Sequence, residues 1–163
     1  MMVLFDFSNT ARSGLWYPVN DVIMGGVSAG NLRIERGIAR FSGTVSHRNN
    51  GGFASVRSKP ISVDLSEYDG ITITACGDLK TYKVNLRIDD SFDGIVYQAR
   101  VQPDSGQWND YRLPFSSFIP TFRGKFVAHA DPLHTSSIAT IGLMISDKQF
   151  GVFCLEIRTI KAF

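Results

Sequence analysis

One pentapeptide of the sequence, GVSAG centred on Ser28, has the spacing of a serine nucleophile. Gly26, Ser28 and Gly30 match G-x-S-x-G, in which a sharp turn between a buried strand and a helix exposes the serine hydroxyl for attack on a carbonyl carbon. The residues that follow, NLRIERGIARF, alternate instead as two strands around a charged turn. Asp131 and His134 lie downstream, but only three residues apart in one loop, and nothing positions them beside Ser28. We therefore predict that Ser28 is not a nucleophile and that the chain is not an enzyme.

The acidic segment DDSFDG resembles half of a calcium-binding loop. Asp89, Ser91 and Asp93 have the alternating spacing of its first ligands, but Arg100 stands at position twelve, where such a loop needs a bidentate glutamate. The three histidines match no zinc signature. We predict a polar hairpin turn here and neither a metal centre nor a cofactor, and leave open whether a cation binds near Asp89 and Asp93.

Composition excludes several classes of protein. Hydrophobic residues make up 44% and charged residues 20% of the 163 residues, as in a globular protein. The net charge of +2, without a Lys/Arg run, argues against a nucleic-acid partner, and no apolar run approaches the roughly 18 residues of a membrane span. The N-terminal MMVLFDFSNTARSG lacks the basic region of a signal peptide. With Cys76 and Cys154 read as reduced and buried, we expect a cytoplasmic location.

Short alternating runs dominate the chain. Segments such as ITITACG, YKVNLRID, IVYQARVQ and VFCLEIRTI follow a period of two, and glycine-rich or polar turns separate them. We predict one domain over residues 1–163, an all-β jelly-roll sandwich of about ten strands. The predicted core consists of alternate apolar positions of these strands: Phe7, Phe41, Phe53, Ile73, Val84, Leu86, Tyr97, Val101, Leu113, Ile141, Leu143, Phe153, Leu155 and Ile157.

Two neighbouring runs, YKVNLRI and IVYQARV, place polar side chains on their second face. The segment DSFDG joins them, so we predict a hairpin in which Asn85, Arg87, Gln98 and Arg100 share one face of a sheet. Polar residues of this kind usually lie on an outer face that is exposed to solvent and binds nothing. Planar amides and guanidinium groups, rather than a Lys/Glu mixture, favour a hydrogen-bonding site for a ligand or partner.

Four stretches in order resemble the complex I intermediate-associated protein 30 family. They are NDVIMGGVS (20–28), FSGTVSHRNNGGFASVR (41–57), LPFSSFIPTFRGK and IGLMISDKQFGVFCLEI. The resemblance implies a jelly roll related to galactose-binding-like and family 11 carbohydrate-binding modules. It also implies an assembly factor for respiratory complex I with no catalytic activity. One departure is Leu79, which follows Gly77-Asp78 where the family has glycine; leucine resists a positive φ, so we expect this turn to differ.

The resemblance adds residues to the predicted site. Related modules bind ligands on a concave sheet face, and we expect the family's loops to line its rim with Asp21, Asn49, Arg57 and Arg123. We assign a structural role to the turn residues of the glycine-rich loops, with the Ser28 hydroxyl bonded to the backbone near two of these glycines. These turn residues are Gly25, Gly26, Ser28, Gly51 and Gly52.

Two binding functions of different classes follow, and an enzyme using Ser28 ranks below both. The first is a non-catalytic assembly or chaperone-like module that binds a protein, with a respiratory-complex subunit as the partner the resemblance implies. It predicts an exposed apolar patch beside the polar groove, formed by Phe118, Ile119, Phe122 and Phe126. The alternative is recognition of a glycan or small polar ligand, for which aromatic side chains would stack on sugar rings. The candidates for stacking are Trp16, Tyr17 and Trp108.

Overall fold

The computed structural model describes residues 1–19, 28–47, 52–91 and 93–163. Within these ranges the regular structure is thirteen strands and two 3₁₀ turns, Phe115–Ser117 and Thr135–Ser137. None of the described segments is a helix long and apolar enough to cross a membrane. The strands are β1 (Met2–Asp6), β2 (Trp16–Pro18), β3 (Ala29–Glu35), β4 (Ile38–Val45), β5 (Ala54–Ser58), β6 (Gly70–Cys76), β7 (Tyr82–Arg87), β8 (Val96–Val101), β9 (Trp108–Pro114), β10 (Ile119–Phe122), β11 (Lys125–Phe126), β12 (Thr140–Ile145) and β13 (Gly151–Ala162).

These strands form two antiparallel sheets. The first has the order β3-β4-β13-β6-β9, and β1 pairs with the second half of β13. The second has the order β11-β10-β8-β7-β12-β5-β2. Neighbours in space are often distant in sequence, because β13 lies between β4 and β6 and β12 lies between β5 and β7. The predicted all-β jelly-roll sandwich is confirmed.

The core lies between the sheets and follows from the period of two. On β7 and β12, Val84, Leu86, Ile141 and Leu143 are completely buried against the inner face of the first sheet. The predicted core residues are buried with one exception. Phe53 is only half-buried, because it precedes β5 and lies at the mouth of a groove on the outer face of the second sheet.

Most outward-facing side chains in the middle of the second sheet are buried too. β5 and β7 carry no exposed position, and in β8 the exposed position is Arg100, although most of the outward-facing residues of these strands are polar. On a flat sheet these polar side chains would be open to water, since successive side chains point to opposite faces. Their burial indicates that this outer face is recessed.

The turn after β6 contains Leu79 in a conformation that we did not expect for leucine. Leu79 adopts the left-handed conformation, with φ of 68°, that we expected a leucine to avoid. The carboxylate of Asp78 accounts for this, because it accepts hydrogen bonds from the Lys80 N–H (3.1 Å), the Tyr82 hydroxyl (2.9 Å) and the Cys154 N–H (2.9 Å). These bonds over-determine the turn and hold a backbone strain of order 1–3 kcal/mol. The premise of that expectation, that leucine would avoid a positive φ here, was therefore wrong.

The packing of Leu86 gives a stability prediction. Leu86→Ala should lower the free energy of unfolding by about 2–5 kcal/mol, because the removed atoms leave a cavity between the two packed sheets. Leu15→Ala is the matched control, since Leu15 is 72% exposed, and it should change stability by less than about 0.5 kcal/mol. Urea unfolding followed by circular dichroism measures both, and equal effects would contradict this description of the core.

Candidate functional site

A groove of about 640 Å³ crosses the outer face of the second sheet. Its floor is built from β5, β12, β7 and β8, which lie side by side. Cross-strand register aligns four residues across this floor, in the order Arg57, Gly142, Asn85 and Gln98. Gly142 keeps the middle of the floor low, because a Cβ there would come within 3.5 Å of the Asn85 Cβ and 3.0 Å of the Val56 carbonyl oxygen.

Two amides on the floor pair with each other. The Gln98 Nε2 donates to the Asn85 Oδ1 at 3.0 Å and contacts the Met144 Sδ at 3.7 Å. Within the described chain, the Asn85 Nδ2 and the Gln98 Oε1 have no hydrogen-bond partner, yet neither atom is fully buried. The pair therefore offers one donor group and one acceptor to a ligand in the groove.

Two arginines converge on the loop that follows β7. Arg57, almost fully buried, donates from Nη1 to the Ser91 carbonyl (3.3 Å), and Arg87 donates from Nη1 to the Gly94 carbonyl (3.5 Å). Burial, followed by the nearby charge of Arg57, lowers the pKa of Arg87 to about 10. Arg87 still carries its charge at neutral pH, and burying charge is unfavourable unless an anion or strong acceptors compensate it. This end of the groove favours an acidic or acceptor-rich ligand.

The opposite end is closed by a charge cluster. The Lys83 Nζ donates to the Ser146 Oγ (2.9 Å) and to Asp147 Oδ1 (3.2 Å), while the Arg100 Nη1 donates to Asp147 Oδ2 at 2.6 Å. Burial alone would raise the pKa of Asp147, but the hydrogen bond from Arg100 and the charge of Lys83 outweigh it, so the pKa lies below its usual value. Arg100 is thus held in an exposed ion pair beyond the groove lining.

The structure brings together part of the predicted site. Asn85, Arg87, Gln98 and Arg57 line the groove, and Arg100 shares their sheet face but stands outside the lining. Arg123 lies at the rim, paired with Asp93 at 2.6 Å and placed 5.3 Å from the Phe122 ring. Several predicted residues fall outside the described ranges: Asp21, Gly25, Gly26, Asn49 and Gly51.

Sequence reasoning missed several floor residues, among them Lys83, Thr140, Gly142 and Met144. Lys83 alternates with Asn85 and Arg87, so its place on the face was readable in the sequence. Gly142 carried a weaker signal, since a glycine inside a strand often marks a close approach of another backbone or a ligand. Thr140 and Met144 gave no signal, because only the pairing of β12 with β7 brings them there.

Ser28 has a structural environment. Its side chain is 2% exposed, its Oγ accepts from the Ser46 N–H at 2.8 Å, and the hydroxyl donates to the Ser46 carbonyl at 3.2 Å. The chain enters β3 immediately afterwards, where a nucleophile elbow requires a helix. The bond to Ser46 ties the start of β3 to the end of β4, whereas the glycines that we expected it to contact lie outside the described ranges.

The carboxylates of the DDSFDG segment have partners of their own. Asp89 Oδ1 accepts from the Ser91 hydroxyl at 2.5 Å and from the Ser91 N–H at 3.0 Å, and these two bonds lower the pKa of Asp89. Asp93 is paired with Arg123. In the part of the chain that the structure describes, no group of three or more histidine, cysteine, aspartate or glutamate side chains is arranged to hold a metal ion.

Two of the three candidate sugar-stacking aromatics lie elsewhere. Trp16 packs on Phe5, with 4.9 Å between ring centroids, and Trp108 lies on β9 of the first sheet beneath the Arg158 guanidinium. Tyr17 is opposite Arg57 in register and so shares the groove face, but the Lys59 Nζ lies 4.7 Å above its ring. Among the described residues of the groove lining, the aromatic one is Phe53, which is half-buried.

An exposed apolar patch borders the groove at β10 and β11. Ile119 and Phe126 are 51% and 66% exposed, and the register places both on the groove face, since Ile119 pairs with Gln98 and Phe126 pairs with Thr121. Phe122 is 40% exposed but follows Thr121 in the strand, so its side chain points to the opposite face. The expectation that Phe118 belongs to this patch was wrong, because the 3₁₀ turn before β10 directs Phe118 inward, where it packs near Phe115 and is buried. Ile119 is opposite Gln98 in register, so the patch begins beside the amide pair.

Comparison with known proteins identifies the family. The family model of complex I intermediate-associated protein 30 (CIA30) matches residues 5–157. The chain belongs to this family. It is 27% identical over 99% of its length to the mouse protein named complex I intermediate-associated protein 30, mitochondrial, and 25% identical over 95% to its fruit-fly counterpart. It spans 56% and 60% of those two relatives.

Solved structures confirm the architecture. The family 11 carbohydrate-binding module of a Clostridium thermocellum cellulosomal cellulase superimposes with a TM-score of 0.70 at 17% identity, covering 98% of this chain and 92% of the module. A structure of the Clostridium thermocellum module with a mixed-linked β-1,3-1,4 tetrasaccharide gives a TM-score of 0.68. At this level of identity, the likeness establishes the galactose-binding-like fold and nothing about ligands.

One expectation is overturned by these comparisons. The sequence led us to expect a cytoplasmic location, but the mouse, fruit-fly and nematode relatives are all named as mitochondrial proteins. The location in the names of these relatives therefore contradicts the cytoplasmic assignment. The error arose from reading the N-terminal residues as evidence of location.

The contacts of Ser28 give a second prediction. Ser28→Ala should lower the free energy of unfolding by about 1 kcal/mol, because the Ser46 N–H loses its acceptor. A fluorophosphonate probe should not label the native protein, since the Ser28 hydroxyl is buried. Intact mass spectrometry, with an active serine hydrolase as the positive control, measures the labelling. Covalent modification of Ser28 would show that this serine is a nucleophile.

The charge cluster around Asp147 gives a third prediction. Because the folded-state pKa of Asp147 is depressed, its stabilising contribution is present above the unfolded pKa of about 3.9 and is lost as the pH falls through the folded value. Asp147→Asn should therefore be less stable than wild type at neutral pH, and the two should converge in acid. Asp90→Asn, at an exposed position of the same charge, is the control. A stability difference independent of pH would contradict this account.

Proposed function

We propose that this chain is a non-catalytic interaction module that binds a protein partner through the groove and its rim. The observation that supports this most directly is the adjacency of two surfaces. A recessed floor with the Asn85–Gln98 amide pair and the charged Arg87 borders the exposed Ile119 and Phe126. Interfaces between proteins combine apolar anchors with polar and arginine contacts in this way.

Residues 1–163 act as one domain in this proposal. The buried apolar cluster includes Phe5 near the N-terminus and Ala162 near the C-terminus, and it draws on both sheets. A groove on the second sheet is then supported by strands that are anchored in the core on their other side. A partner would meet a largely preformed surface, which reduces the entropy lost on binding.

The partner in this proposal is a component of a respiratory complex I assembly intermediate. Family membership and the names of the mouse and fruit-fly relatives support this assignment, and those names also support a mitochondrial site of action. The chain spans little more than half of these relatives. The proposal therefore concerns what this domain contributes to binding.

Glycan recognition is the second candidate, favoured by the position of Tyr17 on the groove face. The Lys59 ammonium group above the Tyr17 ring occupies the surface on which a sugar would stack. We expect no binding of a mixed-linked β-1,3-1,4 tetrasaccharide in a calorimetric titration. Saturable binding that Tyr17→Ala abolishes would favour the glycan over the protein partner.

Site-specific photocrosslinking tests the protein-binding proposal. A photoreactive phenylalanine analogue at Phe126, beside the groove, should crosslink to complex I subunits when the protein is added to solubilised mitochondria that contain assembly intermediates. The same analogue at Val152, an exposed position of β13 on the first sheet, is the matched control and should not crosslink. Equal crosslinking from both positions, or crosslinking from Val152 alone, would contradict a groove-centred interface.

Gln98→Ala, introduced into the Phe126 crosslinking variant, tests the floor of the groove. It should reduce the yield several-fold, because it removes an amide from the floor while leaving the core side chains of β8 in place. Its melting temperature should stay within a few degrees of the parent, consistent with a change of about 1 kcal/mol or less. An unchanged yield would mean that the floor is only a recessed polar surface, and a loss of folding would make Gln98 a structural residue.

A further inference from the structure

Thr140 carries a hydroxyl group that the fold leaves without a partner. The residue is 2% exposed, and among the described residues its Oγ1 is one of two fully buried side-chain nitrogen or oxygen atoms that make no hydrogen bond. Such groups are rare because losing hydration without a replacement bond is unfavourable. Thr140 lines the groove and stands opposite Arg87 in the register of β12 and β7.

Arg87 also has few hydrogen-bond partners at this end of the groove. Its side chain makes one long hydrogen bond, 3.5 Å to the Gly94 carbonyl, and no described carboxylate lies within ion-pair distance of it. Asp93, which lines the same end, is already engaged by Arg123 through both Nε (3.2 Å) and Nη2 (2.6 Å). Arg87 therefore retains most of its five N–H donors for a ligand.

We propose that Arg87 and Thr140 form a subsite for a carboxylate side chain on an extended segment of the partner protein. A carboxylate matches the planar donor fork of a guanidinium group. A lone pair that remains on one of its oxygens can accept a hydrogen bond from the Thr140 hydroxyl. Charge complementarity supports an acidic ligand, since the groove lining contains four cationic side chains and two anionic ones within the described residues. This inference rests on the proposed function and adds the chemistry of the segment that the groove recognises.

The neighbouring surface restricts the segment further. From Arg87 on β7, the strands β8, β10 and β11 follow in order, and β11 carries the exposed Phe126. Three strand spacings make about 14 Å, and an extended chain covers about 13 Å in four residues. A segment crossing the sheet would therefore meet Arg87 with an acidic residue and Phe126 with an apolar residue four positions away, on the same face of the segment.

A pair of isosteric peptides tests this subsite. The probes are the terminally blocked heptapeptide Thr-Glu-Thr-Thr-Thr-Leu-Thr and the same peptide with glutamine in place of glutamate. In a titration followed by ¹⁵N–¹H NMR, the glutamate peptide should shift the amide signals of Thr140, Gly142 and Gly94. The glutamine peptide should bind at least about tenfold more weakly, the effect of losing a charge-assisted hydrogen bond.

Variants assign the effect to the subsite. Arg87→Gln should remove the preference for glutamate, and Arg33→Gln, an equal change of charge on the first sheet, should leave it unchanged. Thr140→Val keeps the shape of the side chain and removes a hydroxyl that bonds to nothing in the described protein. The Thr140→Val protein should keep or raise its melting temperature, and its affinity for the glutamate peptide should fall several-fold. This variant keeps the test decisive if Arg87→Gln folds poorly.

Other outcomes overturn the inference in distinguishable ways. Equal affinity for both peptides, or no binding of either while Phe126 still crosslinks to complex I subunits, would remove the carboxylate subsite and leave the groove-binding proposal standing. Tighter binding of a galacturonate hexamer than of the glutamate peptide would reassign the site to an acidic glycan. Absence of both peptide binding and crosslinking would remove the proposed function together with the subsite.

Discussion

Strand β12 has two sides that serve different purposes, and the groove depends on both. Its inward side chains, Ile141, Leu143 and Ile145, are completely buried in the core between the sheets. On its outer side, Gly142 has no side chain at all, and its backbone lies close to the neighbouring strand β5. A larger residue at Gly142 would fill the floor of the groove. The apolar packing thus fixes the strand in place while the missing side chain keeps the outer face recessed.

The recess determines the electrostatics of the site. Lys83, Arg57 and the partly buried Arg87 lie where solvation is reduced, and the structure compensates them unequally. Lys83 has Ser146 and Asp147 as hydrogen-bond partners. Arg87 has only a long bond to a carbonyl. Because an under-compensated buried charge is unfavourable, the energy recovered by supplying its partner favours binding at that end.

Local sequence predicted the hairpin that carries the amide pair. Strand periodicity and the DSFDG connection were enough to place Asn85, Arg87, Gln98 and Arg100 on one face, since side chains alternate along a strand with a period of two. The register that sets Asn85 opposite Gln98 comes from the structure, in which residues 88–95 connect the two strands. The family stretches placed Arg57 at the same site, although only the structure shows that it lies in the floor beside Gly142. The all-β sandwich followed from the same alternation repeated along the chain.

The remaining features depend on contacts between residues distant in sequence. The insertion of β12 between β5 and β7 brings Thr140 to Arg87, and no local pattern specifies that pairing. Asp147, from the turn after β12, forms an ion pair with Arg100, whose side chain lies outside the groove lining. Phe118 follows a 3₁₀ turn that redirects its side chain inward. Leu79 keeps a positive φ because Asp78 bonds to Tyr82 and Cys154, and Cys154 lies 76 residues further along the chain.

The central claim, that a protein partner occupies the groove, is tested most directly by oxidative footprinting at Met144. This half-buried methionine lies on the groove floor, and Trp108 on the first sheet is an internal reference. Hydroxyl-radical oxidation, measured by mass spectrometry with and without purified complex I assembly intermediates, should show Met144 protected on binding and Trp108 unchanged. Binding that leaves the oxidation of Met144 unchanged, or that protects Trp108 instead, would contradict the claim.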